Sequence, residues 1–290
     1  MDIDEIIGEI EEVRKRGYGE YVTAGGIKIR YLVMGSGPQV LLLHGFGGFL
    51  ETWAFNLPAL SKRYRVYAID LPGHGLSDKL KNCYTTAFAI ESASDILEAL
   101  GVNQAALIGH SLGGAVSVNI ALSLPERVSK LILIDCAGLS RTLPWLYRLS
   151  SLPVLGNILM WLAVKPTLER SIKRLFYSSP VLSQEMIDII LKNSSQPGVR
   201  ETLIRIIRQN VGLRGPHPEA LLIERLPQLK VPTLFVHGAQ DRLFPLEHIG
   251  DSFSMAPNSR VKIFDRCGHC PHIEKAVEFN EVALEFLDGN

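Results

Sequence analysis

The chain has 290 residues, 47% of them apolar and 21% charged, enough to bury a full core and to form one domain with an insertion, or two domains. Thirty basic and thirty acidic residues cancel, so no global field draws the chain to nucleic acid or an anionic membrane, and a small uncharged partner is expected. Asp2, Asp4 and Glu5 stand where a secretory leader would carry positive charge, and no apolar run reaches the length of a bilayer span, which predicts a cytoplasmic protein without stable membrane insertion.

In chain order, Ile3, Ile6, Ile7, Ile10 and Val13 recur at helical spacing and predict an amphipathic surface helix over 2–16. Strands are predicted at 20–23 and 27–34, joined as a hairpin by Gly25-Gly26. Six further strands fall at 40–43, 66–69, 105–108, 131–134, 233–236 and 261–264. Most are continuous apolar runs without alternation, as strands covered on both faces of a parallel sheet require. Helical segments lie between them, so the expected class is α/β, with a doubly wound, mostly parallel sheet of about eight strands.

The alternation stops between Gly138 and about Glu219. Helix-like blocks there are separated by Pro144, Pro153, Pro166, Pro180 and Pro197, and long insertions in compact domains are usually functional. The expected organisation is core at 1–137, a helical cap at 138–219, and core again at 220–290. An apolar block at 152–164 is too short to span a bilayer and reads as cap interior, with a pocket wall or a membrane-docking face as the alternatives. Leu139, Leu143, Trp145, Met160 and Trp161 are the insertion's candidate substrate contacts.

Gly109-His110-Ser111-Leu112-Gly113 places a G-x-S-x-G pentapeptide between a strand pattern and a helix pattern. A serine at that sharp turn is exposed above the sheet, and flanking glycines let neighbouring backbone approach. A serine hydroxyl needs an imidazole to take its proton and a carboxylate to orient that imidazole. Asp241, just past strand 233–236, and His269, just past strand 261–264, reach the same sheet edge in the chain order Ser, acid, His. Asp135 and His272 are the rivals for acid and base. His44, His74, His110 and His237 read as braces of turns and loops. For the oxyanion, the backbone amides of Leu112 and of Phe46, in the glycine-rich His44-Gly45-Phe46-Gly47-Gly48 loop, are the expected donors. No His pair has metal-binding spacing, so no metal is expected. Cys83, Cys136, Cys267 and Cys270 read as reduced thiols. The spacing of Cys267 and Cys270 has no second pair to make a zinc or redox site.

Taken together, Leu42-Leu43-His44-Gly45-Phe46-Gly47-Gly48, Asp70-Leu71-Pro72-Gly73-His74-Gly75-Leu76-Ser77, the elbow, Asp241 and Cys267-Gly268-His269 resemble the α/β-hydrolase superfamily over nearly the whole chain. The residues around His269 and Glu274-Lys275-Ala276 look like its branch of carboxylesterases and serine carbon–carbon hydrolases. The resemblance implies a cofactor-free serine hydrolase with a four-helix cap. Ser111 separates the chain from the versions with aspartate at the elbow, the epoxide hydrolases and haloalkane dehalogenases. Two departures weigh against carbon–carbon cleavage: Cys270 replaces a large aromatic residue after the histidine, and residues 185–192 lack the cap arginine for an acidic substrate. Arg200, Arg205 and Arg208 read instead as a solvated helix face. The expected activity is hydrolysis of short- to medium-chain carboxylic esters. Monoacylglycerol-type lipase, carbon–carbon hydrolase and hydrolase-like ligand receptor are the alternatives.

Overall fold

The computed structural model describes residues 19–81, 84–161, 165–178 and 184–289. The helix expected over 2–16 and Cys83 lie outside the described residues.

The hairpin forms as β1 (Glu20–Ala24) and β2 (Ile27–Met34), with Gly25 at φ 54° and Gly26 at φ 80° in its turn. Two consecutive positive φ values are what a tight hairpin turn demands, and glycine adopts them without a Cβ penalty. β3 (Gln39–Leu43), β4 (Arg65–Ile69), β5 (Ala105–His110), β6 (Val128–Ile134), β7 (Thr233–Gly238) and β8 (Ser259–Phe264) follow. They form one eight-stranded sheet in the order β1-β2-β4-β3-β5-β6-β7-β8. The pairings of β2 with β1 and β4 are antiparallel, and all the others are parallel.

The uninterrupted apolar runs follow from burial on both faces. Leu41, Leu43, Leu107, Leu131 and Leu133 enter one hydrophobic cluster, while Val40, Leu42, Ala106, Ile108, Ile132 and Ile134 enter a second. Successive side chains point to opposite faces, so a strand covered twice needs an apolar residue at every position. Fully burying each such side chain contributes about 1.5–3 kcal/mol.

Before the insertion come α1 (Leu57–Ser61), α2 (Thr86–Ala99) and α3 (Leu112–Ser123). Thr85 caps α2, its hydroxyl accepting from the Phe88 amide at 3.3 Å. Between β6 and β7 lie α4 (Trp145–Ser150), α5 (Pro153–Trp161), α6 (Lys165–Lys173), α7 (Gln184–Ser194), α8 (Val199–Asn210) and a two-rung hairpin of Val211–Gly212 with Gly215–Pro216. The described part of the insertion thus holds five helices, where the resemblance implied four; α5 takes up the apolar block from Pro153 to Trp161. α9 (Gly250–Phe253), α10 (Pro271–Glu274) and α11 (Ala276–Asp288) complete the chain. α2 and α3 contribute Ala93, Ile96, Val118 and Ile120 to the first cluster, and α1 and α11 contribute Leu57, Leu60, Phe279 and Ala283 to the second. Among the described residues, no helix is long and apolar enough to cross a membrane.

Candidate active site

Ser111 sits between the end of β5 and the start of α3 with φ 51°, a left-handed conformation that a residue with a Cβ adopts only under constraint. Three backbone hydrogen bonds impose it. The Ser111 amide donates to Ile134 O at 2.8 Å, and the Ser111 carbonyl accepts from Ala115 and Ala137. The glycines are required by close backbone approach: a Cβ at Gly109 would lie 2.4 Å from Gly113 O, and one at Gly113 would lie 2.0 Å from Leu43 O. Gly45 is pressed against the elbow in the same way, since its Cβ would meet His110 Nδ1 at 2.8 Å and Ser111 Cβ at 3.2 Å. That contact brings the His44–Gly48 loop beside the serine. Gly48 N donates to Gly45 O, closing a turn in which Phe46 and Gly47 are central, so the Phe46 amide takes no part in the turn bond. Leu112 opens α3, where the first amides lack intrahelical acceptors. Phe46, Ser111 and Leu112 all line one cavity.

Asp241 and His269 are joined. The His269 Nδ1–H donates to Asp241 Oδ2 at 2.7 Å, and both side chains are buried. Asp241 Oδ1 accepts from the Leu243 and Phe244 amides at 2.7 and 3.1 Å. Burial opposes the charge on Asp241, but His269 outweighs it and holds the carboxyl down at about 2. The Phe244 ring packs 5.4 Å from the imidazole.

Asp135, the rival acid, has another occupation. Its Oδ1 lies 3.1 Å from His237 Nδ1 and accepts from the Gly238 amide at 3.2 Å. His237 Nε2–H donates to Phe244 O at 2.9 Å, and burial lowers this histidine to about 4, so its Nδ1 carries a lone pair. The Asp135 carboxyl is raised well above the usual range by burial, by the Asp241 charge and by its side-chain hydrogen bond to Asp241, so Asp135 holds the proton. A neutral Asp135 leaves one negative charge, on Asp241. Asp135, His237 and Asp241 place ligand-type atoms within 4.8 Å of one another. Proton sharing and backbone amides already engage those atoms.

His272, the rival base, is packed between Trp53 and His110 at ring-centroid distances of 4.7 and 4.5 Å and is lowered to about 3 by burial. His110 Nε2–H donates to His269 O at 2.8 Å, bracing the loop that carries His269. His44 Nε2 accepts from Leu71 N, so its Nδ1–H donates to Gly45 O. The Asp70 segment braces the opposite flank: Asp70 accepts from Arg30 and from the Leu50 and Leu76 amides. Cys136, Cys267 and Cys270 are free and buried, and burial pushes all three thiols up.

The insertion also holds His269. His269 N donates to Leu175 O at 2.6 Å, and Glu274 accepts from the Gly268, Tyr177 and Ser178 amides. This clamp had no counterpart in the sequence reading, because a backbone carbonyl in a helical insertion leaves no residue-type signal.

The cavity at Ser111 encloses about 1450 Å³ of empty space counting its mouth. Leu143 lines it. Leu139 does not: it is fully buried in the sheet cluster, with its carbonyl accepting from Ser252 Oγ. Trp145 also does not, being 66% exposed on the outer side of α4. Tyr147 takes the place expected for Trp145, its ring 6.2 Å from Phe46. Met160 and Trp161 fall at the end of α5, and their side chains lie outside the described residues. Arg205 and Arg208 do not form a solvated face. Arg205 donates to Leu80 O and Arg208 to Leu152 O, Pro153 O and Asn157 Oδ1, tying α8 to its neighbours.

Comparison with known proteins agrees with this architecture. The 2-hydroxy-6-oxononadienedioate/2-hydroxy-6-oxononatrienedioate hydrolase of Paraburkholderia phymatum is 33% identical over 282 residues, covering 92% of this chain and 93% of its own. Among solved structures, the meta-cleavage product hydrolase of Pseudomonas fluorescens IP01 superposes with a TM-score of 0.79 at 26% identity, over 93% of this chain and 98% of its own. A membrane phospholipase A described as a bacterial virulence factor gives 0.79 at 25% identity, over 99% and 93%. Residues 38–276 match the sequence pattern of the alpha/beta hydrolase fold, and the chain therefore belongs to the alpha/beta hydrolase fold family as one of its serine hydrolases.

Proposed function

We propose that the protein hydrolyses uncharged carboxylic esters through an acyl-enzyme on Ser111. The Ser111 Oγ attacks the ester carbonyl as its proton passes to His269 Nε2, and Asp241 stabilises the resulting imidazolium. The Phe46 and Leu112 amides receive the oxyanion, each worth about 3 kcal/mol in the transition state. Collapse breaks the ester C–O bond, and the alcohol leaves with the proton from His269. Water then attacks the acyl group by the same route in reverse order, releasing the acid and restoring Ser111. No cofactor enters this scheme.

The observation that carries the ester reading is the lining of the cavity. Among the described residues it contains no Asp, Glu, Lys or Arg; it is built from aliphatic and aromatic side chains with a few neutral polar groups. A carboxylate-bearing substrate buried there would have no countercharge, at a cost of several kcal/mol. Similarity to hydrolases of ring-fission products favours carbon–carbon cleavage as the second reading. Comparing kcat/KM for p-nitrophenyl esters with that for a 2-hydroxy-6-oxo-dienoate separates the two. Esters are expected to be preferred, and preference for the dienoate overturns the reading.

A further inference from the structure

The cavity does not stop beneath the insertion. Its walls include Leu41 and Leu43 of β3, Ala93 and Ile96 of α2, and Ala115 and Asn119 of α3, all of which belong to the sheet-and-helix core. The space exists because the facing helices carry small side chains where they meet. Ala89, Ser92 and Ala93 occupy successive turns of one face of α2, and Ala115 stands on α3 one turn after Ser111.

Three elements measure its depth. α2 and α3 both begin at the sheet edge that carries Ser111 and run downward from it. From Ser111 to Asn119 α3 descends about 12 Å, and from Thr86 to Ile96 α2 descends about 15 Å, at about 1.5 Å per residue. From His44 back to Leu41 β3 descends about 10 Å at about 3.3 Å per residue. The floor is closed to hydrogen bonding: Asn119 Nδ2 donates to Ala115 O, and its Oδ1 accepts from Arg225. An apolar extension about 10–12 Å deep, opening at the serine and reaching an Asn119 side chain whose hydrogen bonds are already made, suits an unbranched hydrocarbon chain and offers a charged end no partner. An extended chain advances about 1.25 Å per bond, taking C–C bonds of about 1.5 Å meeting at about 111°. The depth therefore takes about eight to ten carbons.

Building on the ester reading above, we propose that the extension between α2, α3 and β3 is the acyl site, taking a single straight chain of about eight to ten carbons down into the core. The alcohol then lies under the insertion, against Leu143, Tyr147 and Phe244. Chain-length selection is thereby assigned to α2 and α3.

Two measurements test this. The first is kcat/KM for p-nitrophenyl acetate through palmitate on the wild type and on Ala93→Phe, with Ala93→Leu as a milder plug should the phenylalanine prevent folding. In the wild type kcat/KM is expected to rise by up to about fourfold per methylene to an optimum at octanoate or decanoate. The plugged variant is expected to lose at least tenfold in its decanoate-to-acetate ratio. The second is calorimetric binding of decanoate to Ser111→Ala protein, which needs no turnover; it is expected to occur and to weaken at least tenfold when Ala93→Phe is added. Esters hydrolysed with a flat chain-length profile, or a ratio unmoved by the plug, overturn the acyl site and leave the ester reading standing. Decanoate binding that responds to the plug in a protein that hydrolyses no ester supports the site and removes the ester reading.

Discussion

The two sides of the cavity are built on different terms. On the sheet side, Ser111, Asp241 and His269 follow the ends of β5, β7 and β8, and backbone amides and buried carboxylates fix their surroundings. On the insertion side, a single helix turn decides which side chain reaches the cavity. Tyr147 faces the cavity while Trp145, two residues away, faces out, and Val154 and Ile158 are exposed beside it. A strand end can deliver a residue to only one edge of the sheet, whereas a helix in an insertion can be rotated to present any face. On the proposed function, chemistry is set by the first region and substrate fit by both.

The largest effect expected is at the serine. Ser111→Ala should remove at least about three decades of ester turnover with the fold intact by circular dichroism, since no other nucleophile occupies the turn. Next comes the contrast between the two acids. Asp241→Asn should cost about two to four decades by disturbing the tautomer of His269. Asp135→Asn, which replaces one neutral hydrogen-bonding group with another, should cost less than about tenfold. If Asp135→Asn is the more damaging change, the charge has been put on the wrong carboxyl. A smaller effect separates the two aromatic residues of α4: Tyr147→Ala should raise KM about tenfold, and Trp145→Ala should change it by less than about twofold. Equal effects would mean that the insertion presents both faces of α4 to the substrate.

Acid stability sharpens the comparison from the sheet side. Burial holds His44 and His237 at about 4 and His74 and His272 at about 3 in the folded protein, against about 6.5 when unfolded. The unfolded chain therefore binds more protons between these values, and stability falls as pH falls through that window. By calorimetry the Tm should be level above about pH 7 and decline steadily from about pH 6.5 towards pH 4. A Tm unchanged to pH 4.5 contradicts the neutral burial of these rings.

All eight strands were legible, because a doubly covered strand must be apolar at every position and a strand end must be followed by a turn. The pairing of Asp241 with His269 was legible for the same reason, each lying just past such a strand. The pocket was not. Leu139 and Trp145 are apolar residues in an apolar segment, and only the packing of that segment against the core sends one into the sheet cluster and the other to solvent. The neutral state of Asp135 was equally invisible, since it depends on burial and on Asp241, which only the fold brings beside it. The depth of the cavity comes from small residues on two helices, and small residues in a helix read equally well as tight packing.

The central claim is that the elbow serine is the nucleophile. Intact-mass analysis after treatment with a p-nitrophenyl alkylphosphonate, followed by peptide mapping, tests it directly. One adduct per chain on Ser111, with labelling abolished in Ser111→Ala and slowed in His269→Ala, is the predicted result. A stoichiometric adduct on any other residue, or none at Ser111 in folded protein, would contradict it.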